Sequence, residues 1–489
     1  MRTAPSIRRL LVANRGEIAV RVLRACRALG IEAVAVFSDA DANARHVRLA
    51  DDAVPIGAAP ARESYLSIPK VLAAAKAAGC DAVHPGYGFL SENAAFARAV
   101  EDAGLVWVGP PAAAIEAMGL KIGSRERMRE AGIPVVPGTH DLTGDLGTSV
   151  GFPLVVKASA GGGGTGMRVV RRASEVAEAV LSCRREAEAA FGDGTLYAER
   201  YLERPRHVEV QVLGDRHGRV AALGERECSL QRRHQKVIEE SPSPAVGPEL
   251  RRRICDAAVA AARAVGYVGA GTVEFLLAPD GSFHFLEMNT RLQVEHPVTE
   301  EALGIDLVAL QLRVASGEPL PETLPSTPSS WAFEARLYAE DAEHGFLPQT
   351  GRLLVFEEPS GPGIRVDSGV SAGDEVGLHY DPMLAKIIAR GTSREEARRR
   401  LVAALSEAVV LGVTTNLSYL RRVLESAPVV AGEMDTSLLE RLEISPVPSP
   451  PAEVFETAFR EFSSKGTEAA ARRASFPDPF ASGAFRMFR

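Results

Sequence analysis

The segment GTVEFLLAPDGSFHFLEMNT, residues 271–290, carries two glutamates that a tight turn would bring face to face. Its β-rich halves flank Asp280-Gly281, the dipeptide favoured by a two-residue type I′ hairpin. With that turn Pro279 faces Ser282 and, five pairs further out, Glu274 faces Glu287. Directly opposed side chains lie about 4.5–5.5 Å apart at Cβ, where two carboxylates repel unless a positive charge stands between them. Hard oxygen ligands suit Mg²⁺ or Mn²⁺, and Mg²⁺ held by one or two carboxylates takes its other ligands from substrate phosphates and water. Asn289, two residues on, falls on the same face as a third ligand. The alternative is a solvated polar sheet face, but Phe275, Phe285 and Leu286 favour a buried setting.

The alternation runs on through Arg291, Gln293 and Glu295, so an extended chain would project all of them to one side. Arg291 and Gln293 could then hold a small oxyanion while Glu295 acts on it as a base. A second constellation is KASAGGGGTGM, with Lys157 followed by Gly161, Gly162, Gly163, Gly164, Thr165 and Gly166. Glycines let backbone N–H groups approach a phosphate, but no GK[ST] is present and a strand-like MRVV follows, so this is not a Walker A loop. Beside a carboxylate metal site it reads as a phosphate-covering lid. The third is ERECSLQRRHQKVIEE, residues 225–240, read either as a solvated charge run or as an anion pocket built on Gln231, His234 and Lys236. Cys228 within it reads as a small core residue. In a chain that otherwise uses arginine, its seven lysines mark places where a compact ammonium is wanted.

These groups need elements to hold them. Leu10 to Ala13 reads as a buried strand, Gly16 to Leu29 as a helix ended by Gly30, and Ile31 to Phe37 as a second strand, a βαβ opening. Its turn has Gly16 but no GxGxxG, so a packing domain is expected there rather than a dinucleotide site. Further α/β elements lie at Asp81 to Val83 and Val106 to Val108, and Gly109-Pro110-Pro111 closes the first domain. A small unit follows from about Pro134 to Leu202, with strands PLVVKAS and MRVV around the glycine loop. A larger unit runs from about Glu203 to Leu320. Pro and Ser cluster at Pro319 to Ser330 as a linker, a mixed α/β unit ends near Leu442, and SPVPSPP at Ser445 to Pro451 reads as an extended spacer.

Composition narrows the function classes. With 489 residues, 46% apolar and 24% charged, the chain is an ordinary globular one of three or four domains. Its apolar runs fall far short of the about 18 residues of a membrane span, and the N-terminal apolar run is too short for a signal-peptide core. A soluble cytoplasmic protein without membrane association is therefore expected. The net charge of −7 argues against general nucleic-acid binding. Five scattered cysteines without a CxxC pair indicate neither a disulfide framework nor a zinc site.

Over about residues 6–440 the chain resembles the biotin carboxylases. The resemblance rests on VANRGEIAVRV, HPGYGFLSEN, KASAGGGGTGM, ERYLERPRHVEVQVLGD, CSLQRRHQKVIEESPSP, EMNTRLQVEHPVTE and YDPMLAKI. QRRHQK, and EMNTR with QVEHPVTE, separate this family from other ATP-grasp ligases. Pyruvate carboxylase and the carboxylase subunits of acyl-CoA carboxylases share them. The resemblance implies an α/β ATP-grasp fold in four parts: a Rossmann-like N-terminal domain at 1–115, an ATP-grasp domain at 116–330 with its lid at about 134–202, a biotin carboxylase C-terminal domain at 331–442, and a spacer and tail at 443–489.

By motif position Lys121, Lys157, Gly161, Gly162, Gly163, Gly164, Thr165, Gly166, Glu199, Leu202, His207, Gln231 and His234 resemble nucleotide contacts. Glu274, Glu287 and Asn289 resemble metal ligands, and Lys236, Arg291, Gln293 and Val294 a bicarbonate site. Glu295 matches the base that deprotonates bicarbonate and Arg336 the residue that stabilises the biotin enolate; Arg291 and Lys236 are implied in catalysis with them. The implied cofactors and substrates are ATP, Mg²⁺ or Mn²⁺, bicarbonate and biotin borne by a partner. The implied partners are a biotin carboxyl carrier and a carboxyltransferase, in a homodimer or a larger complex. No AMKM-like segment occurs, so biotin is expected in trans, with Ser475 to Arg489 resembling the few residues that follow the carboxylase part in fused subunits, just before their joining and carrier domains, and an unrelated disordered tail as the alternative. Two positions depart from the family: Thr165 stands where Arg or Lys is usual, and Leu120 where Asp is usual. They suggest altered ATP affinity, and the competing readings are another ATP-grasp ligase or a non-catalytic nucleotide-binding subunit.

Overall fold

The computed structural model describes residues 7–159 and 166–444, with Glu453 and Arg460 beyond them. The tetraglycine, Thr165 and almost all of the expected spacer and tail therefore lie outside the described residues. No helix among the described residues is long and apolar enough to cross a membrane.

Leu10, Leu11 and Val12 are fully buried in β1 (Arg9–Val12), as a strand covered on both faces requires. α1 (Gly16–Leu29) follows and stops at Gly30, whose φ of 69° ends the helix in a left-handed turn. β2 (Glu32–Ser38), β3 (Asp52–Gly57), β4 (Ala82–His84) and β5 (Val106–Trp107) complete a parallel sheet of order β3-β2-β1-β4-β5. The expected βαβ opening is present within a residue at each boundary.

A small antiparallel sheet, of order β6-β9-β7-β8, comprises β6 (Gly138–Thr139), β7 (Leu154–Ala158), β8 (Met167–Val170) and β9 (Leu196–Arg200). In β7, Leu154, Val156 and Ala158 pack on Cys183 and Ala187 of the helix Val176–Phe191. The period of two then turns Lys157 to the other face.

The third sheet is built from β10 (Arg206–Gly214), β11 (Val220–Arg232), β12 (Gln235–Ser241), β13 (Gly269–Leu277), β14 (Phe283–Asn289) and β15 (Trp331–Tyr338). Its order is β14-β13-β10-β11-β12-β15, continued by Met383–Gly391 and then Ile364–Ser368. No helix or strand lies between Ala315 and Trp331, as the Pro/Ser cluster suggests, yet β15 pairs directly with β12. Val208, Val210 and Val212 of β10 and Val273, Phe275 and Leu277 of β13 share one core. His207, Glu209, Glu274 and Leu276 therefore occupy the opposite face.

The β13–β14 hairpin corrects the expected turn. Ala278 N–H donates to the Ser282 carbonyl, and Leu277 pairs with Phe283, so the loop is Pro279–Gly281 with Gly281 at φ 83°. That loop is one residue longer than Asp280-Gly281 alone. A bulge restores the count, because Phe275 opposes Phe285 while Glu274 opposes Glu287, leaving Leu286 as the extra residue. The pairing of the two glutamates is as expected, by a different route. The extended row through Glu295 is also corrected: β14 ends at Asn289, and Glu295 directly precedes the helix His296–Leu303.

Candidate active site

A cavity of about 950 Å³ is lined by the small sheet, the large sheet and the N-terminal end of α1. It collects Lys121, Lys157, Glu199, Leu202, His207, Gln231, His234, Lys236, Glu274, Glu287, Asn289, Arg291, Gln293, Val294, Glu295 and Arg336. Gly166 is the described exception; its carbonyl accepts from Ala158 N–H instead.

Lys236 is the electrostatic centre. Its Nζ donates to Glu274 at 2.9 Å, to Glu295 at 2.6 Å and also to Glu209, so three buried carboxylates share one ammonium. Burial works to raise Glu274, but Lys236 and His207 outweigh it and hold the carboxyl well below its usual range. Burial likewise opposes ionisation of Glu295, and Lys236, Arg336 and Arg226 overcome it. Glu295 is thus held as the anion by its three cationic neighbours. Glu287 goes the other way: burial and the charge of Glu274 raise it. Glu274, lowered by Lys236 and His207, thus faces Glu287, raised by burial and by the Glu274 charge. Asn289 Nδ2 donates 2.8 Å to Glu274, which brings a third oxygen-bearing side chain to the pair. The donor set fits a hard divalent ion.

Arg291 is held by Glu92 at 2.8 Å, Gln293 at 2.9 Å, Asn289 at 3.1 Å and the Leu292 carbonyl at 3.3 Å. The planar guanidinium spans these acceptors in a fixed orientation. Arg336 donates to Glu239 at 2.6 Å and to Glu295 at 3.0 Å. Toward the small sheet Lys157 and Arg125 both pair with Glu199, and Lys121 Nζ lies 3.9 Å from Glu287.

The segment 225–240 is not a solvated run. Glu225, Arg226, Glu227, Ser229, Gln231, Glu239 and Glu240 are buried in a hairpin whose turn, Arg233-His234, has φ of 49° and 64°. Both turn residues are left-handed without being glycine, so the usual sequence mark of a type I′ turn is missing. Burial pushes the Cys228 thiol up, which keeps it neutral and agrees with its reading as a core residue.

Four residues at the site escaped the sequence reading. Glu209 and Arg226 are joined at 2.5 Å, Glu239 anchors Arg336, and Glu92 anchors Arg291. The alternation of His207, Glu209 and Gln211 with valines in RHVEVQV could have revealed Glu209. Glu239 and Glu92 reach the site from remote strands and loops and carry no local signal.

Comparison with known proteins gives one pattern. Residues 6–115 match the biotin carboxylase N-terminal domain, 121–323 the ATP-binding domain of carbamoyl-phosphate synthase L chain, and 334–441 the biotin carboxylase C-terminal domain. The chain is 50% identical over 447 residues to the mitochondrial methylcrotonoyl-CoA carboxylase subunit alpha of Oryza sativa, covering 90% of this chain and 61% of that subunit. It is 47% identical to Biotin carboxylase 1 of Bacillus subtilis, covering 90% of this chain and 99% of that protein. The biotin carboxylase domain of Hydrogenobacter thermophilus 2-oxoglutarate carboxylase, solved with MgADP and bicarbonate, superposes with a TM-score of 0.86 at 42% identity, covering 89% of this chain and 98% of that one.

Proposed function

The chain belongs to the biotin carboxylase family, and from that premise we propose that it carboxylates biotin on a carrier at the expense of MgATP and bicarbonate. It spans about three fifths of the length of the methylcrotonoyl-CoA carboxylase alpha subunit it matches. The reaction proposed is accordingly the first half-reaction of such carboxylases. The single observation that supports it best is the cluster of Lys236, Glu295 and Arg336 beside the opposed Glu274 and Glu287.

In this reading ATP lies between the lid and the large sheet, with Lys121, Lys157, Glu199, Leu202, His207, Gln231 and His234 around it. A divalent cation at Glu274, Glu287 and Asn289, when bound, supplies charge to the phosphate oxygens. Arg291, Gln293, Val294 and Lys236 hold bicarbonate while Glu295 takes its proton. The bicarbonate oxygen attacks the γ-phosphorus, the bond to ADP breaks, and carboxyphosphate forms. Carboxyphosphate then separates into CO₂ and phosphate. The phosphate takes the N1′ proton of biotin, Arg336 stabilises the resulting enolate, and N1′ attacks CO₂. Water would hydrolyse carboxyphosphate, which gives the lid with Gly161 to Gly166 its purpose. A biotin carrier and a carboxyltransferase are the partners this chemistry requires.

The test is ATP cleavage measured with and without bicarbonate and free biotin. Cleavage that depends on bicarbonate and is stimulated by biotin is expected. Cleavage indifferent to both would instead favour another ATP-grasp ligase.

A further inference from the structure

Lys386 is fully buried in the strand Met383–Gly391, and the chemistry above does not use it. Burying an ammonium is unfavourable unless specific partners compensate, so what it touches matters. Its Nζ donates one hydrogen bond, at 2.8 Å, to the main-chain carbonyl of Val294. A Glu17 carboxyl oxygen of α1 lies 3.2 Å away, but neither Glu17 oxygen has a hydrogen-bond partner.

The other charged neighbours are already engaged or neutral. Asp367, the cross-strand partner of Lys386, is bound in bidentate fashion by Arg365 at 2.7 and 3.1 Å. Arg336, its cross-strand partner on the other side, is taken by Glu239 and Glu295. Glu334 is buried with both oxygens unpartnered, and burial raises its carboxyl well above the usual range. The ammonium therefore directs its hydrogen bond to a peptide group, next to the residues that act on bicarbonate in the proposed reaction.

That peptide group has little else to hold it. Strand β14 ends at Asn289 and the next helix starts at His296, so residues 290–295 belong to no ladder. His296 Nδ1 meets the Gln293 carbonyl at 2.8 Å, and Lys386 takes the next carbonyl along. Peptide planarity means that a fixed Val294 carbonyl also fixes the direction in which the chain enters Glu295. We propose that Lys386, with the Glu17 carboxyl beside it, is a positioning residue that clamps the Val294 carbonyl and so aims Gln293 and Glu295 at the bicarbonate subsite. The inference rests on the reading of residues 291–295 as that subsite.

Steady-state kinetics on the full chain separates the two. Wild-type protein without bicarbonate-dependent ATP cleavage would remove the underlying reading. With that activity present, the variants K386M, E17Q/K386M and K386R decide the clamp. K386M removes the donor, the double variant removes both buried ionisable groups, and K386R keeps the charge and hence the fold while displacing the donor atom. Loss of a hydrogen bond to a charged donor predicts a bicarbonate KM raised about tenfold, with the ATP KM within about twofold. A bicarbonate KM within about twofold of wild type in folded K386R would overturn the proposal. So would an ATP KM that rises in step with it, or loss of the folded circular dichroism signal in all three variants, since either marks a purely structural role.

Discussion

Replacing Glu295 with Gln separates the chemistry of the site from its architecture. The amide matches the carboxylate in size, so no cavity opens. Glu295 accepts from Lys236 at 2.6 Å and from Arg336 at 3.0 Å. A glutamine has one oxygen to offer, and its NH₂ would face whichever cation the oxygen does not meet. Neither cation is stranded, because Lys236 keeps Glu209 and Glu274 and Arg336 keeps Glu239. The stability cost should accordingly stay at or below about 3 kcal/mol, the lower end for breaking a buried pair. Loss of a general base costs about 10² to 10⁴ in rate, or about 3 to 5 kcal/mol of barrier. Bicarbonate-dependent ATP cleavage should therefore fall at least about 100-fold while the ATP KM is maintained, since Glu295 pairs with Lys236 and Arg336, whereas Lys121 and Lys157 pair with Glu287 and Glu199. A variant turning over within about fivefold of wild type would refute the reasoning, as would an ATP KM rising as fast as the rate falls.

Other perturbations bear on neighbouring features. Changing either Glu274 or Glu287 to Gln should raise the Mg²⁺ concentration needed for half-maximal activity; metal titrations unaltered in both would reject the opposed pair as the ion's seat. Arg introduced at Thr165 should lower the ATP KM, and an unchanged value would show that this departure from the family is neutral. Burial raises the Glu240 carboxyl to about 7 against the pull of Arg394 and Trp331. A folded value above the ordinary 4.5 means that the native state holds the extra proton between the two, so this stabilisation is complete at low pH and lost as pH rises through about 7. Glu17 and Glu239, also raised to about 7, add slope of the same sign. E240Q should remove one downward contribution to Tm between about pH 5 and 7, with buried His46, His84 and His296, all lowered, acting in the opposite sense; equal slopes in variant and wild type would reject the raised value.

Local signals carried much of this fold. Helix α1 begins and ends where Gly16 and Gly30 mark it, and β7 presents Lys157 on the side its alternation predicts. The pairing of Glu274 with Glu287 was legible from strand length and a turn-forming dipeptide, although loop and bulge compensate in a way that the dipeptide alone does not reveal. Long-range pairing was not legible. Glu239 meets Arg336 across 97 residues of sequence, and no periodicity says that β12 will find β15. The segment 225–240 looked charged because its acids and bases are interleaved, and only pairing with β10 and β15 makes those charges buried partners. The Arg233-His234 turn was hidden because its strained residues lack the glycine or asparagine that usually announces such a turn.

The continuity of the eight-stranded sheet has a bearing on how the chain is built. β10 to β14 have all been synthesised when the Pro/Ser stretch emerges, but β12 lacks its outer neighbour until Trp331–Tyr338 follows. For that interval it is an open edge with unpaired backbone groups, of the kind that recruits strands from other chains. A protein cut at the linker would keep the residues proposed to face the nucleotide and the metal but would lack Arg336 and Lys386, and it would carry that edge permanently. The Pro/Ser stretch at Pro319 to Ser330 is therefore a poor place to divide this protein. Fragments ending there should aggregate rather than fold into an isolated ATP-binding half.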